Sequence, residues 1–592
     1  MTTVPLWLSA ILPDVVAWVD LGALAFFSFL WLWIACNAVG NFGQLFMQPV
    51  PLVGALKVIR RRKFKHIVIV PCYIDPMDVL FDCIGSLLSC CSTGRLVLVV
   101  AFEKKTPDLE SKLATVRKAF EGRFGDLVIT VHAINPEKEI PGGCSNKNSA
   151  LRAAYSHVRN YHTDFEKTCY TVTTCDTDTL FPPQYFDVLE AAYNAANPGD
   201  LDNGEQVHRC IWQPPVFYNW DLDKRPFFVR TTGVVRSMMM LGGLISFNLN
   251  PMSIFSYPLE LGLEAGFINP RYSVDDIIFK VRLMTSTNEK IPVVQLNIPV
   301  ISGPTIGTTY LEEISEWERQ IRRWIVGSSE SFHYFIIHWK GNPFFSGMWW
   351  FFMFFMYYAV LLCSAGVFGL FAAVPYPWAT FPSIRVCGWE VSTKFAGLGA
   401  LAIQYIAFAV AFAIDLRACK LMTVKENIHP LRRLVHWLLA PIVLIAYSII
   451  AYYAVLKFVF RGKSDAGHTM AAKEGFKKAR EAGSDGSLRL NDLERTVSFG
   501  HTTSGMVHSE GGSSEGETLA RAFTWAGHSK HESGTFGEFG KPARFDKTAL
   551  DSLATLPKLF YFGMSGFDPA DAPAMPGCRA FLYRGASIED AV

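Results

Sequence analysis

Three short clusters in this sequence combine residue types at spacings that suit phosphate and proton chemistry. Asp176-Thr177-Asp178 directly follows the β-rich run YTVTTC that begins at Tyr170. Two carboxylates one residue apart, at the carboxyl end of a buried strand, can share Mg2+ or Mn2+ with substrate phosphates, because hard cations take oxygen ligands and few carboxylates. The alternative is a solvated turn. Val274-Asp275-Asp276 offers a carboxylate to take a proton from a hydroxyl, or an acidic helix cap before IIFKVRL. Both hold together if Asp275 caps and Asp276 acts. Gln320-Ile321-Arg322-Arg323-Trp324 falls on an expected helix from near Tyr310. Arg carries a planar fork suited to phosphate, Trp a flat apolar face for a sugar ring, and Gln both donor and acceptor groups. An amphipathic helix near a membrane would also carry Arg and Trp.

These clusters need a scaffold, and residues 66–335 supply one. The runs HIVIVP at 66, RLVLVVAF at 95, LVITVHA at 127 and YTVTTCD at 170 alternate with helical patterns around 109–121 and 146–160. Such alternation predicts a mainly parallel sheet covered by helices. Ligands of such sheets sit at the carboxyl ends of the strands, where Asp176 and Asp178 fall. His132, just after the third run, reads as a hydrogen-bonded loop or core histidine rather than a ligand.

The rest of the chain speaks of a membrane. Half of the 592 residues are hydrophobic, 46 are Phe, and only 18% are charged, against ~25% in soluble domains. Residues 21–39 are uncharged and long enough to span a bilayer, which takes ~20 residues. Arg60, Arg61, Arg62, Lys63 and Lys65 follow in the linker 40–65, and the positive-inside rule puts what comes next in the cytosol. Further spans are expected at 344–374, 395–414 and 434–456, with Trp349 and Trp350 facing lipid. The last segment either crosses, or dips in and returns with a bend at Pro441. Residues 1–20 precede the first span. Residues 461–592 read as mostly disordered, with 549–562 as a short docking helix. The net charge of +2 provides no field for nucleic acid, and the 13 Cys lack metal-site spacing and read as reduced, mostly buried thiols.

The order DxD, acidic pair, QxxRW, then membrane helices resembles the membrane-integrated family 2 glycosyltransferases, which include cellulose, chitin and hyaluronan synthases. The resemblance covers roughly 66–335 plus the spans that follow. It implies an α/β GT-A fold with a Rossmann-like mixed sheet, and an inverting, metal-dependent transfer from a nucleotide sugar such as a UDP-sugar. Matched residue by residue, it implies that Asp176 and Asp178 bind metal and diphosphate, that Asp276 is the base, and that Gln320, Arg323 and Trp324 meet the acceptor end and the donor diphosphate. Val70-Pro71-Cys72-Tyr73-Ile74-Asp75 is similar to the family's opening VPxYNE, which places Tyr73 and Asp75 at the nucleotide base. Glu103 stands where the family has a nucleoside-contacting Asp. Gly142 to Ala150 resembles KxGNxNxAL, with Asn146 in the nucleotide contact. Gly143 replaces the usual Lys there, and Lys147, one helical turn on, can supply the charge.

The expectation is a multi-pass membrane hexosyltransferase with a cytosolic catalytic domain, at the plasma membrane or Golgi, meeting lipids and a glycan or lipid acceptor, with polysaccharide synthesis as one outcome. The rivals are a non-processive transferase acting on a lipid or glycolipid, and a catalytically silent membrane scaffold. A transporter fits poorly, because the spans carry few polar residues beyond Asn37 and Gln404.

Overall fold

The computed structural model describes residues 13–47, 63–90, 92–196, 209–220, 222–304, 309–364, 366, 383–386, 389–422, 424 and 428–461. The expected tail beyond 461, the docking stretch 549–562 and most of the basic linker lie outside the described residues.

An apolar helix opens the described chain, α1 (Pro13–Met47). Then come β1 (Lys63–Cys72), α2 (Met77–Leu88), β2 (Leu96–Glu103), α3 (Leu109–Phe120), β3 (Asp126–His132), α4 (Gly143–Tyr161) and β4 (Thr168–Thr174). Next are β5 (Thr179–Leu180), α5 (Tyr185–Ala196), β6 (Ile211–Gln213), β7 (Val216–Phe217), α6 (Phe227–Met239), β8 (Phe255–Pro258), α7 (Leu259–Glu264) and α8 (Asp275–Thr287). The domain closes with β9 (Val293–Gln295), β10 (Val300–Ser302) and α9 (Tyr310–Ile337).

The main sheet has seven strands in the order β3-β2-β1-β4-β8-β6-β9. β1 pairs in parallel with β2 and β4, and β2 with β3. β8 runs antiparallel to both β4 and β6, which makes the sheet mixed. Every residue of β2 is buried, as expected of a strand covered on both faces. Even a histidine is tolerated in β1, because His66 meets Thr171 Oγ1 at 2.7 Å and Glu190 Oε1 at 2.9 Å. A second sheet, β5-β10-β7, lies beyond the carboxyl end of β4.

Among the described residues, four helices are long and apolar enough to cross a membrane: Leu21–Phe46, Phe344–Leu362, Ala396–Leu421 and Ala440–Phe460. The stretch read as 434–456 is divided. Amphipathic α12 (Pro430–Leu438) ends at Leu439, and α13 (Ala440–Arg461) starts afresh with Pro441 in its first turn, where a missing N–H costs nothing. Between these and α9 stand α10 (Phe344–Phe354) and α11 (Thr393–Leu421). Trp350 corrects one expectation. It is 2% exposed, donates to Leu249 O at 2.8 Å and stacks on Phe354, whereas Trp349 is 53% exposed. A tryptophan with a polar partner reachable inward gains both burial and a hydrogen bond.

α1 buries Phe27, Leu30, Trp31, Ile34, Ala38 and Phe42, a stripe at helical spacing, and leaves Phe26, Phe29, Leu32 and Trp33 outward. The buried stripe meets the wide helical turn Met240–Ile245 that extends α6. A Cβ on Gly242 would collide with the carbonyl oxygen of Ile34, and one on Gly243 with the Tyr357 ring. Gly242→Val should therefore force α1 off the domain and cost about 1–3 kcal/mol. A thermal midpoint in detergent equal to that of the wild type would contradict this packing.

Candidate functional site

The strand ends converge as the parallel order requires. Thr177 Oγ1 donates to Pro71 O at 2.7 Å, which ties the turn after β4 to the end of β1. Thr179 Oγ1 accepts from Asp176 N at 3.3 Å and closes the same turn. Antiparallel pairing of β5 with β10 sets Ser302 beside Asp178, with Ser302 Oγ 3.4 Å from its Oδ1. Gly303 makes that approach possible, since a Cβ there would press on the Asp178 side chain at 3.0 Å.

α4 begins at the same place. Gly142 has φ 143°, a conformation that essentially only glycine adopts, and its carbonyl accepts from Ser145 Oγ and Asn146 N. The first turn of α4 thus points free N–H groups at the strand ends, the arrangement that favours anions. Asn146 Nδ2 donates to Ala101 O at 2.9 Å, while its buried Oδ1 has no hydrogen-bond partner among the described residues. No atom lies within 4 Å of where a Cβ on Gly143 would stand.

Lys147 is 2% exposed, with Nζ 2.7 Å from Asp275 Oδ2 and 3.2 Å from Asp176 Oδ1. Burial works against its charge, but Asp275 and Asp176 outweigh it and hold the ammonium protonated well above the usual lysine range. The cation that the sequence assigned to a phosphate is thus shared by two carboxylates. Asp275 also departs from expectation. Val274 is the N-cap of α8 and makes no side-chain cap bond, so Asp275 is the first helical residue and faces Lys147. Asp276 accepts from Ser253 N at 3.2 Å and from Ile277 N at 2.7 Å. Burial, and next the neighbouring Asp275 charge, push its carboxyl up to about 7.

Tyr73, Asp75, Glu103, Asn146, Lys147, Asp176, Asp178, Asp276, Gln320, Arg323 and Trp324 all line one cavity of about 570 Å³, whereas His132 does not. Asp75 Oδ2 accepts from Tyr73 N at 3.3 Å and holds that loop closed. Burial raises the Glu103 carboxyl, which favours the form able to donate as well as accept. Arg323 makes no ion pair among the described residues, whereas Arg322 pairs with Glu318 at 2.8 Å and Arg319 with Glu316. His132 lies 2.8 Å from Glu139 Oε2. Trp317 donates to Thr232 Oγ1 at 2.8 Å and packs on Phe228, beneath the site.

The sequence reading missed Arg236. Its guanidinium carbon lies 4.3 Å from the ring centroids of both Tyr218 and Trp324, on the cavity wall. The signal was an arginine inside the otherwise apolar stretch TTGVVR, a placement that demands a partner. The cavity also continues past Trp324 to Tyr357, Tyr447 and Lys457, which belong to helices long enough to cross a membrane.

No protein-family model and no curated protein matches the sequence. Among solved structures, the chain is similar to a mannosyltransferase from Pyrobaculum calidifontis in complex with GDP-Man and Mn2+, at 13% identity, covering 73% of this chain and 100% of that one, with a TM-score of 0.35. It is also similar to S. aureus TarS 1-349 in complex with UDP-GlcNAc, at 13% identity, 69% and 99% coverage and a TM-score of 0.28. A third is glucosyl-3-phosphoglycerate synthase from Mycobacterium tuberculosis, at 15% identity, 44% and 77% coverage and a TM-score of 0.25. Likenesses this distant carry no functional weight, and the chemistry must come from the site itself.

Two outcomes test this geometry. A carboxyl raised in the folded state favours folding fully below its unfolded value, and that benefit disappears as pH rises through about 7. Asp276→Asn should therefore raise the thermal midpoint at pH 8 and leave it nearly unchanged at pH 4; equal shifts at both would place Asp276 in water. If the cavity takes the nucleotide sugar that the sequence resemblance implies, Lys147→Ala should weaken its binding about ten-fold, ~1.4 kcal/mol, and Gly143→Lys in that background should restore part of it. Undiminished binding in Lys147→Ala would leave phosphate neutralisation to Arg323 and a metal.

Proposed function

We propose that this protein is a membrane-integrated, GT-A-type glycosyltransferase that moves a sugar from a nucleotide sugar to an acceptor arriving from the membrane side, with inversion at the anomeric carbon. The observation that carries this reading is the gathering of Asp176, Asp178, Asp276 and Arg323 around one cavity that runs from Tyr73 and Glu103 to the apolar helices.

Tyr73, Asp75, Glu103 and Asn146 would hold the nucleoside, with Asn146 Oδ1 and the Glu103 carboxyl facing its polar edges. The free N–H groups of α4 and the Arg323 guanidinium bind the diphosphate. Asp176 and Asp178 give an oxygen-only donor pair beside the Ser302 hydroxyl, which fits Mg2+ or Mn2+. Such an ion would supply positive charge for the departing diphosphate. Asp276 accepts the acceptor hydroxyl's proton as that oxygen bonds to the anomeric carbon, and the bond from that carbon to the diphosphate breaks. Its pKa of about 7 suits a base near neutral pH. Trp324, braced from behind by Arg236, offers its face to the acceptor sugar.

Polysaccharide synthesis is one form of this chemistry. The apolar wall of Phe408, Val443 and Leu444 at the far end of the cavity also suits a lipid-linked acceptor. A panel of nucleotide sugars offered to the purified protein should reveal one that is hydrolysed or transferred in a chelator-sensitive way. Asp176→Asn and Asp178→Asn should remove most turnover, and Asp276→Asn should keep donor binding while losing transfer. Donor binding without turnover by the wild type in every case would favour the silent scaffold.

A further inference from the structure

α4 has a second cluster at its far end. The sequence His157-Val158-Arg159-Asn160-Tyr161-His162 spaces two histidines by four residues, within the range of zinc ligand pairs. His157 lies in the last turns of the helix, and His162 is its C-cap, with extended backbone at φ −96°. That break swings the two rings together, with centroids 6.0 Å apart and planes 78° apart. Asp126, the first residue of β3, stands between them. Its Oδ2 is 2.8 Å from His162 Nε2, and its Oδ1 is 3.6 Å from His157 Nε2.

We propose that Asp126, His157 and His162 form a divalent-metal site, of the Zn2+ class, that pins the C-terminal end of α4 to the start of β3. One ligand atom from each residue falls within 4.8 Å of the others. Bonds of ~2.0–2.2 Å in a tetrahedral zinc site put ligand atoms roughly 3.4 Å apart, which the two separations bracket. Two further observations point to a ligand. His157 Nε2 is shielded from solvent and makes no hydrogen bond among the described residues, with Asp126 Oδ1 3.6 Å away, beyond hydrogen-bond distance. His162 is oriented from behind, because its Nδ1 lies 2.6 Å from the Tyr170 hydroxyl. A hydroxyl can accept from Nδ1–H, which turns the Nε2 lone pair toward Asp126 Oδ2, 2.8 Å away; metal-bound histidines are commonly held this way.

Two imidazoles and a carboxylate select a borderline-soft ion over Mg2+, which prefers oxygen. Lys65 of β1 lies against the His162 ring, its Nζ 3.2 Å from Nδ1 and 3.3 Å from the proposed ligand atom Nε2, and Lys63 is engaged by Asp164. The Lys65 charge opposes a bound cation, and the Asp126 carboxylate offsets it. The side chains of His157 and Asp126 are 27% and 30% exposed, so water can complete the coordination. The cluster is distinct from the carboxylates of the cavity. β3 and β4 run parallel within the sheet, and Asp126 starts β3 while Asp176 follows the end of β4. The two sites therefore lie at opposite ends of the strands, joined by α4, whose first turn carries Asn146 and Lys147.

The test uses the full chain purified in detergent, with excess Mg2+ present to occupy oxygen-donor sites, titrated with Zn2+ and, for its absorption spectrum, with Co2+. One equivalent should bind, with the Co2+ bands of a nitrogen-containing tetrahedral or five-coordinate site. His157→Ala should weaken binding by more than the ~10-fold to ~100-fold typical of a residue that only orients a ligand, while circular dichroism stays that of the wild type. Asp176→Asn should leave the stoichiometry and spectrum unchanged. Absence of saturable binding would overturn the proposal, as would binding that survives His157→Ala or is lost in Asp176→Asn.

Discussion

The geometry of the cavity hangs on one buried cation. Lys147 Nζ bridges Asp176, at the end of β4, and Asp275, at the start of α8. These carboxylates come from elements that share no backbone pairing, and like charges near each other in a low-dielectric site repel strongly. The Asp176 side chain is 40% exposed and its contact is screened by water, so the more enclosed Asp275 contact carries more of the bridge. The bridge therefore fixes the distance between the carboxylate pair after β4 and the helix turn that carries Asp276. It also bears on the charge state there: burial and then Asp275 raise the Asp276 carboxyl, while Lys147 partly opposes that rise.

Much of this was legible in the residues. The β-rich runs at 66, 95, 127 and 170 became β1 to β4; β2 is buried throughout and β1 and β4 largely so, which leaves short apolar stretches, while the edge strand β3 is only half-buried. The apolar runs became helices long enough for a bilayer for the same reason of length. The clusters around Asp176, Asp276 and Arg323 were visible as motifs, and the fold brings them to one cavity.

Pairings across long stretches of chain were hidden. The partner of Lys147 lies 128 residues away, and nothing local marks Asp275 as its receiver rather than as a cap. The antiparallel strand β8 is only four residues long, too short to show a period. Arg236 owes its place to Tyr218 and Trp324, one from a loop and one from α9, and no spacing rule predicts such a sandwich. Trp350 turned inward because Leu249 offered its carbonyl, a fact of tertiary structure alone.

The contact between Gly242 and the Ile34 carbonyl has a consequence for how this molecule must be handled and how it arose. Two backbones touch there with no side chain between them, so the first apolar helix packs directly on the turn that extends α6. Trp31 of the same helix rests on Phe408 of α11, which itself lines the cavity. A soluble enzyme trimmed to the strands and their covering helices would bare that wall and lose part of the cavity's far lining. The first apolar helix and the sheet domain are in this sense built against each other, and removing the helix would uncover packed backbone.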